Sequence, residues 1–131
     1  MQPQPEAETL LALYGERINA HDFDLLEPLI SPAATFWFSE GSFSGPAIRA
    51  AFERTWAQVA EETYWLEDVE WIAGDDEGAA CIYGFRWRGL IAGQPAAGGG
   101  RGTSVLRREA DGWKIVHEHL SPLPRNPAPQ A

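Results

Sequence analysis

From about Glu62 to Ser121 the sequence alternates in the manner of β-strands almost without a break, so the chain must fold into something that buries one whole face of a sheet. The run from Thr63 to Ile72 ends at Gly74-Asp-Asp-Glu-Gly78, a charged, turn-rich connection. Ala79 to Ile91 comes next, with Tyr83, Phe85 and Trp87 on one face and Arg86 and Arg88 on the other. The Gly- and Ala-rich stretch from Ala92 to Gly100 is expected to be a loop leading to a strand over Arg101 to Arg108. Asp111-Gly112 between alternating runs is a hairpin signal, and it sends the chain into a last strand from Trp113 to Ser121.

The residues ahead of this block supply the cover. Ala7, Leu10, Leu11, Tyr14 and Ile18 fall on one face of an α-helix. Asp22 is placed to cap a short second helix that buries Phe23, Leu26, Leu29 and Ile30, with Pro28 and Pro32 limiting its length. Ala34 to Ser39, rich in aromatics, predicts a strand. Gly45-Pro46 opens a third helix whose apolar stripe is Ile48, Phe52, Trp56 and Val59. The order predicts an α+β fold, a curved antiparallel sheet wrapped around three helices from the N-terminal half. At 131 residues the chain has the size of one domain. That domain is expected to span 7–122, with 1–6 and 123–131 as tails.

Nineteen acidic against ten basic residues give a formal charge of −9, which disfavours nucleic acid and anionic membrane surfaces as partners. No apolar run approaches the roughly 20 residues needed to cross a bilayer, and the N-terminus lacks a signal-peptide pattern, so a cytoplasmic location is expected. Cys81 is the only cysteine, and its neighbours Ala80 and Ile82 point to an inert buried thiol. No phosphate loop, nucleophile elbow or dinucleotide fingerprint is present, so no cofactor is expected. Gly98-Gly-Gly-Arg-Gly102 lacks the strand before and helix after that a phosphate loop requires.

Three segments carry a family resemblance: Tyr14 to Asp22, ending in Asn-Ala-His-Asp; Ser44-Gly-Pro-Ala-Ile-Arg-Ala-Ala-Phe52; and Arg101-Gly-Thr-Ser-Val-Leu-Arg107 with Asp111-Gly-Trp-Lys-Ile-Val-His-Glu-His-Leu-Ser121. From about Leu10 to Pro122 the chain resembles the superfamily of nuclear transport factor 2, ketosteroid isomerase, the SnoaL-like cyclases and the calcium/calmodulin-dependent kinase II association domain. It is most similar to the SnoaL-like and kinase-association branches. The resemblance implies a cone with a cavity at its wide end and a homodimer through the outer face of the sheet. Two readings of function follow from it. One is a small-molecule-binding protein, with a cofactor-independent isomerase, dehydratase or cyclase using proton transfer among its forms; the alternative is a non-catalytic dimerisation or adaptor module.

The isomerase chemistry needs a carboxylate base and two hydrogen-bond donors at the enolate oxygen. The resemblance puts the oxyanion tyrosine at Tyr14, the base near Phe38 and the second donor near Ser104, and a phenyl ring cannot accept a proton. His117 and His119 share one face of the last strand with Trp113 and Ile115, so that face is expected to point into the cavity and Lys114 and Glu118 away from it. Val116 and Leu120 share the Lys114 face, which a dimer interface would explain. The histidines are candidate acid/base groups, with a neutral pair bonded to neighbouring strand side chains as the plain alternative. No third metal ligand is evident beyond His21 or Glu40, so no metal is expected. Arg101 should pair near Ser121 and His119 and anchor a ligand carboxylate, or else bond to an acid at the sheet edge. Phe38, Trp56, Phe85, Trp87 and Ser104 complete the expected ligand site.

Overall fold

The structure, a computed structural model, describes residues 5–124. Helix α1 (Pro5–Ile18) leads to α2 (Phe23–Leu26), which runs on as a single 3₁₀ turn over Glu27–Leu29. Then come β1 (Ile30–Phe38), β2 (Gly41–Ser44), α3 (Pro46–Gln58), β3 (Ala60–Gly74), β4 (Gly78–Ile91), β5 (Gln94–Glu109) and β6 (Gly112–Pro122). The fold is α+β, with one six-stranded sheet in the order β2-β1-β6-β5-β4-β3. All neighbours are antiparallel except β1 and β6, which run parallel. The sheet is antiparallel as expected except at this one pair, where the chain passes through α3 and three strands before β6 returns beside β1.

The helices form as their patterns predict. Asp22 caps α2 by accepting from the backbone N–H of Asp24 at 3.1 Å. Gly45 stands at φ 57°, a conformation only glycine adopts freely, with Pro46 as the first helical residue of α3. Ala7, Leu11, Tyr14 and Ile18 of α1, with Ile48 and Phe52 of α3, join Phe36, Leu106 and Ile115 of the sheet in one core. Just beyond α1, Asn19 ties helix to sheet: its Oδ1 accepts from Tyr64 N–H at 2.7 Å and its Nδ2 donates to Tyr64 C=O at 3.0 Å. None of the described helices is long and apolar enough to cross a membrane.

The stretch expected to be a loop, Ala92 to Gly100, is instead a hairpin and the first half of β5. Ala92 and Gly93 both take positive φ, 52° and 78°, the geometry of the tightest two-residue hairpin, so Gln94 pairs directly with Ile91. The glycines that follow sit opposite the rings of β4, Gly98 against Trp87, Gly100 against Phe85 and Gly102 against Tyr83. A Cβ at Gly98 would come within 2.8 Å of the Trp87 ring, and one at Gly100 within 2.7 Å of the Phe85 ring while overlapping the Ser121 carbonyl. Glycine here gives the aromatic rings room to lie across the neighbouring strand.

Two bulges bend β3. Register slips between Ala60 and Thr63 and between Glu67 and Glu70, and Glu61 and Asp68 stand at φ 52° and 54° within those slips. Such insertions sharpen strand curvature, which leaves the inner face of the sheet concave toward α1 and α3.

Candidate functional site

The concave face and α3 border a cavity of about 350 Å³ that opens to solvent at one side. Phe38 of β1, Phe52 and Trp56 of α3, Tyr64 of β3, and Phe85 and Trp87 of β4 supply its aromatic lining. Its polar lining includes Glu118 and Ser121 of β6, Glu62 of β3 and Glu40 at the β1–β2 turn. A groove of about 500 Å³ between α1 and β3 is comparably roomy, but its carboxylates, Glu8 and Glu16, are exposed to solvent. The cavity under α3 is therefore the better site, because there a carboxyl is buried at the wall.

That group is Glu118, only 2% exposed. Burial raises its pKa, and the hydroxyls of Tyr14 and Tyr83 pull it part of the way back, leaving it at about 7. The Tyr14 hydroxyl and Glu118 Oε1 lie close enough to influence one another's ionisation, yet neither makes a hydrogen bond of good geometry within the protein. Both keep bonding capacity for a third partner. Tyr83 is held from behind by Ser104, Oη to Oγ at 2.7 Å. Burial, then the Glu118 charge, drives the pKa of Tyr14, Tyr64 and Tyr83 well above the usual phenol value. They are therefore hydrogen-bond donors at neutral pH.

Glu118 faces inward because of a one-residue bulge. Val105 of β5 pairs with His117 while Leu106 pairs with Ile115, so Val116 is an extra residue in β6. Before it Trp113 and Ile115 point into the core; after it Glu118 is buried and Leu120 packs against the core. A single inserted residue exchanges the two faces of everything beyond it. The expected inward orientation of His117 and His119 is corrected accordingly. Both lie on the outer face, His117 bonded through Nδ1 to Thr35 Oγ1 at 2.7 Å. The edge of Trp37 meets both imidazoles, with ring centroids 5.0 and 5.6 Å apart. The sequence did carry a signal for the switch, in that Leu120 shares the Glu118 face.

The remaining expected site residues fall into three places. Phe38, Trp56, Phe85 and Trp87 line the cavity. Tyr14 and Ser104 are buried behind it, Tyr14 beside Glu118 and Ser104 beneath Tyr83. Arg101 pairs with Ser121 as expected, but it lines a shallow outer groove with His119, Asp68 and Glu70, away from the cavity. Among the described residues no group of three or more His, Cys, Asp or Glu side chains is placed to hold a metal. Burial pushes the Cys81 thiol up to about 12, so it stays protonated.

One further arrangement at the cavity wall escaped the sequence reading. His21, at φ 54°, stacks on Trp56 with centroids 5.2 Å apart, and its Nε2 lies 3.4 Å from Glu62 Oε1. The Glu62 side chain is only 6% exposed. Burial raises the pKa of Glu62 and lowers that of His21, so both are biased toward their neutral forms.

The SnoaL-like domain model matches residues 7–125, and the chain belongs to that family. No curated protein sequence matches it. Among solved structures, it is similar to a nuclear transport factor 2-like superfamily protein from Salmonella enterica serovar Typhimurium. The TM-score is 0.83 at 21% identity, over 96% of this chain and 94% of that one. The S. rosetta CaMKII hub superposes with a TM-score of 0.77 at 19% identity, covering 93% and 99% of the two chains. A Caulobacter vibrioides protein with a cystatin-like fold gives 0.75 at 14% identity, over 90% and 87%. At these identities the likeness extends to the fold alone.

Proposed function

We propose that this chain binds a flat, largely apolar small molecule in its aromatic cavity and moves a proton on it with Glu118. The observation that carries the reading is the Glu118 carboxyl, buried at the cavity wall with one oxygen unpartnered and its pKa near neutrality. A carboxyl tuned to about 7 is present in both forms at working pH and can take a proton and return it. On a ketone, Glu118 would remove a proton from the carbon beside the carbonyl while the C–H electron pair forms an enolate. Returning the proton to the same or a conjugated carbon completes an exchange or an isomerisation. Tyr14 and Tyr83 hold the carboxyl, and the rings of Phe38, Trp56, Phe85 and Trp87 seat the molecule.

The test is deuterium exchange of β-tetralone in heavy water, followed by proton NMR. The protein is expected to speed exchange over buffer, and Glu118→Gln to lower that acceleration by about 100-fold or more. Exchange no faster than in buffer, or unchanged by Glu118→Gln, would remove the assignment.

The outer face of the sheet supports a homodimer. Ile82, Thr103, His119 and Trp37 form one cross-strand row, with Ile82 39% and Trp37 47% exposed, an apolar stripe that a second copy would cover. Native mass spectrometry should give twice the 14.4 kDa chain mass; a monomer at micromolar concentration would contradict the dimer. The adaptor alternative rests on fold likeness to a kinase hub, and no feature of the cavity favours it.

A further inference from the structure

We propose that the cavity selects an organic cation, an amine carried on an aromatic or other flat apolar body. The inference rests on reading the cavity as the ligand site and goes on to the charge of what it takes. Three carboxylates, Glu118, Glu62 and Glu40, line the cavity, and no lysine or arginine does so among the described residues. The arginines that could have balanced them are engaged elsewhere. Arg49 pairs with Asp24, Glu27 and Glu53, Arg86 pairs with Glu67, and Arg101 lies on the outer face. The nearest base, His21, reaches Glu62, but burial lowers its pKa, which leaves the imidazole neutral at working pH and unable to cancel the carboxylate.

An acidic lining alone would say little, since carboxylates abound in this chain. The deciding feature is Glu118, 2% exposed, lining the cavity with Oε1 unpartnered. A buried carboxyl that Tyr14 and Tyr83 flank but whose Oε1 makes no hydrogen bond of good geometry is a site that a donor from outside can complete. An ammonium group supplies several N–H donors and the balancing charge. The same wall carries Trp56 and Trp87 with Phe38 and Phe85, and aromatic faces, indoles above all, attract a desolvated cation through the ring quadrupole. A ligand carboxylate would meet two carboxyls whose ionisation burial already disfavours, and a further negative charge beside them would add repulsion and supply no N–H donor. The expectation of an anionic ligand anchored by Arg101 fails on the same geometry, because that guanidinium opens on the other side of the sheet.

The test compares three molecules of one shape at physiological salt and neutral pH: aminotetralin, β-tetralone and tetralin carboxylate, titrated against the full chain by calorimetry and by quenching of its tryptophans. Aminotetralin is expected to bind at least about tenfold tighter than the carboxylate, the scale of one buried charge-assisted or cation–π contact. Glu118→Gln and Glu62→Gln, which keep side-chain shape, should each shrink that ratio. Should Glu118→Gln not fold, Glu62→Gln and the wild-type series still decide the matter. Tetralone binding with no preference between the two charged analogues, or tighter binding of the carboxylate, overturns the cation inference and leaves the cavity reading standing. Failure of all three to bind overturns both.

Discussion

Gly100→Ala is expected to destabilise the domain by about 3 kcal/mol or more, enough to unfold much of a population of ordinary stability. The added methyl would overlap the Ser121 carbonyl of β6 on one side and come within 2.7 Å of the Phe85 ring on the other. The first obstacle is backbone held in a ladder, which cannot swing aside as a flexible side chain could. Gly84→Ala is the matched control, since its nearest neighbour, the Gly100 carbonyl, stands at 3.7 Å, ordinary van der Waals distance. Urea denaturation of both should therefore separate them widely. Equal stability would mean that β5 is not packed against β4 and β6 in the register described.

The second large effect concerns pH. A carboxyl whose pKa is higher in the folded than in the unfolded chain binds its proton more tightly when folded. Its contribution to stability is full below the unfolded value, about 4.3, and is lost as pH rises through the folded value. For Glu118 the folded value is about 7, so the wild-type chain should lose roughly 3 kcal/mol from this group between pH 4.5 and pH 8, at about 1.4 kcal/mol per pKa unit. Glu118→Gln should abolish that decline. Glu62 and His21 also titrate with shifted values, but both remain in the variant, so the wild-type minus variant difference isolates Glu118. The carboxylates whose pKa is lowered by partners, Glu109 beside Arg107 and Asp111 beside Lys114, lose their contribution only as pH falls through their own folded values, below this window. Thermal melts across the range read the difference, and parallel curves for the two proteins would contradict it.

The helices and the aromatic inner face of the sheet were legible because each rests on local pattern. Ile48, Phe52, Trp56 and Val59 mark one face of α3 by spacing alone, and the alternation of Tyr83, Phe85 and Trp87 marks the inner face of β4. What the sequence did not disclose depends on pairing between distant residues. Ala92-Gly93 reads as loose chain until both residues are seen at positive φ, and the following glycines look like linker until they meet the rings they accommodate. The extra residue at Val116 is hinted at only by Leu120 sharing the Glu118 face, because the slip itself is defined by Val105 and Leu106 on another strand. That one slip moves His117 and His119 out of the cavity and Glu118 in. Unbroken alternation from Trp113 to Ser121 places the histidines inside, and only the pairing with β5 sends them to the outer face.

The most direct measurement is the titration of the Glu118 carboxyl itself, by NMR of chain labelled at the glutamate carboxyl carbon, with Glu118→Gln identifying the resonance. The buried, unpartnered carboxyl beside Tyr14 and Tyr83 predicts a midpoint near 7, displaced when β-tetralone or its amine analogue fills the cavity. A midpoint near the ordinary 4.3 of an exposed glutamate, unmoved by either molecule, would contradict the assignment of Glu118 as the proton carrier of this cavity.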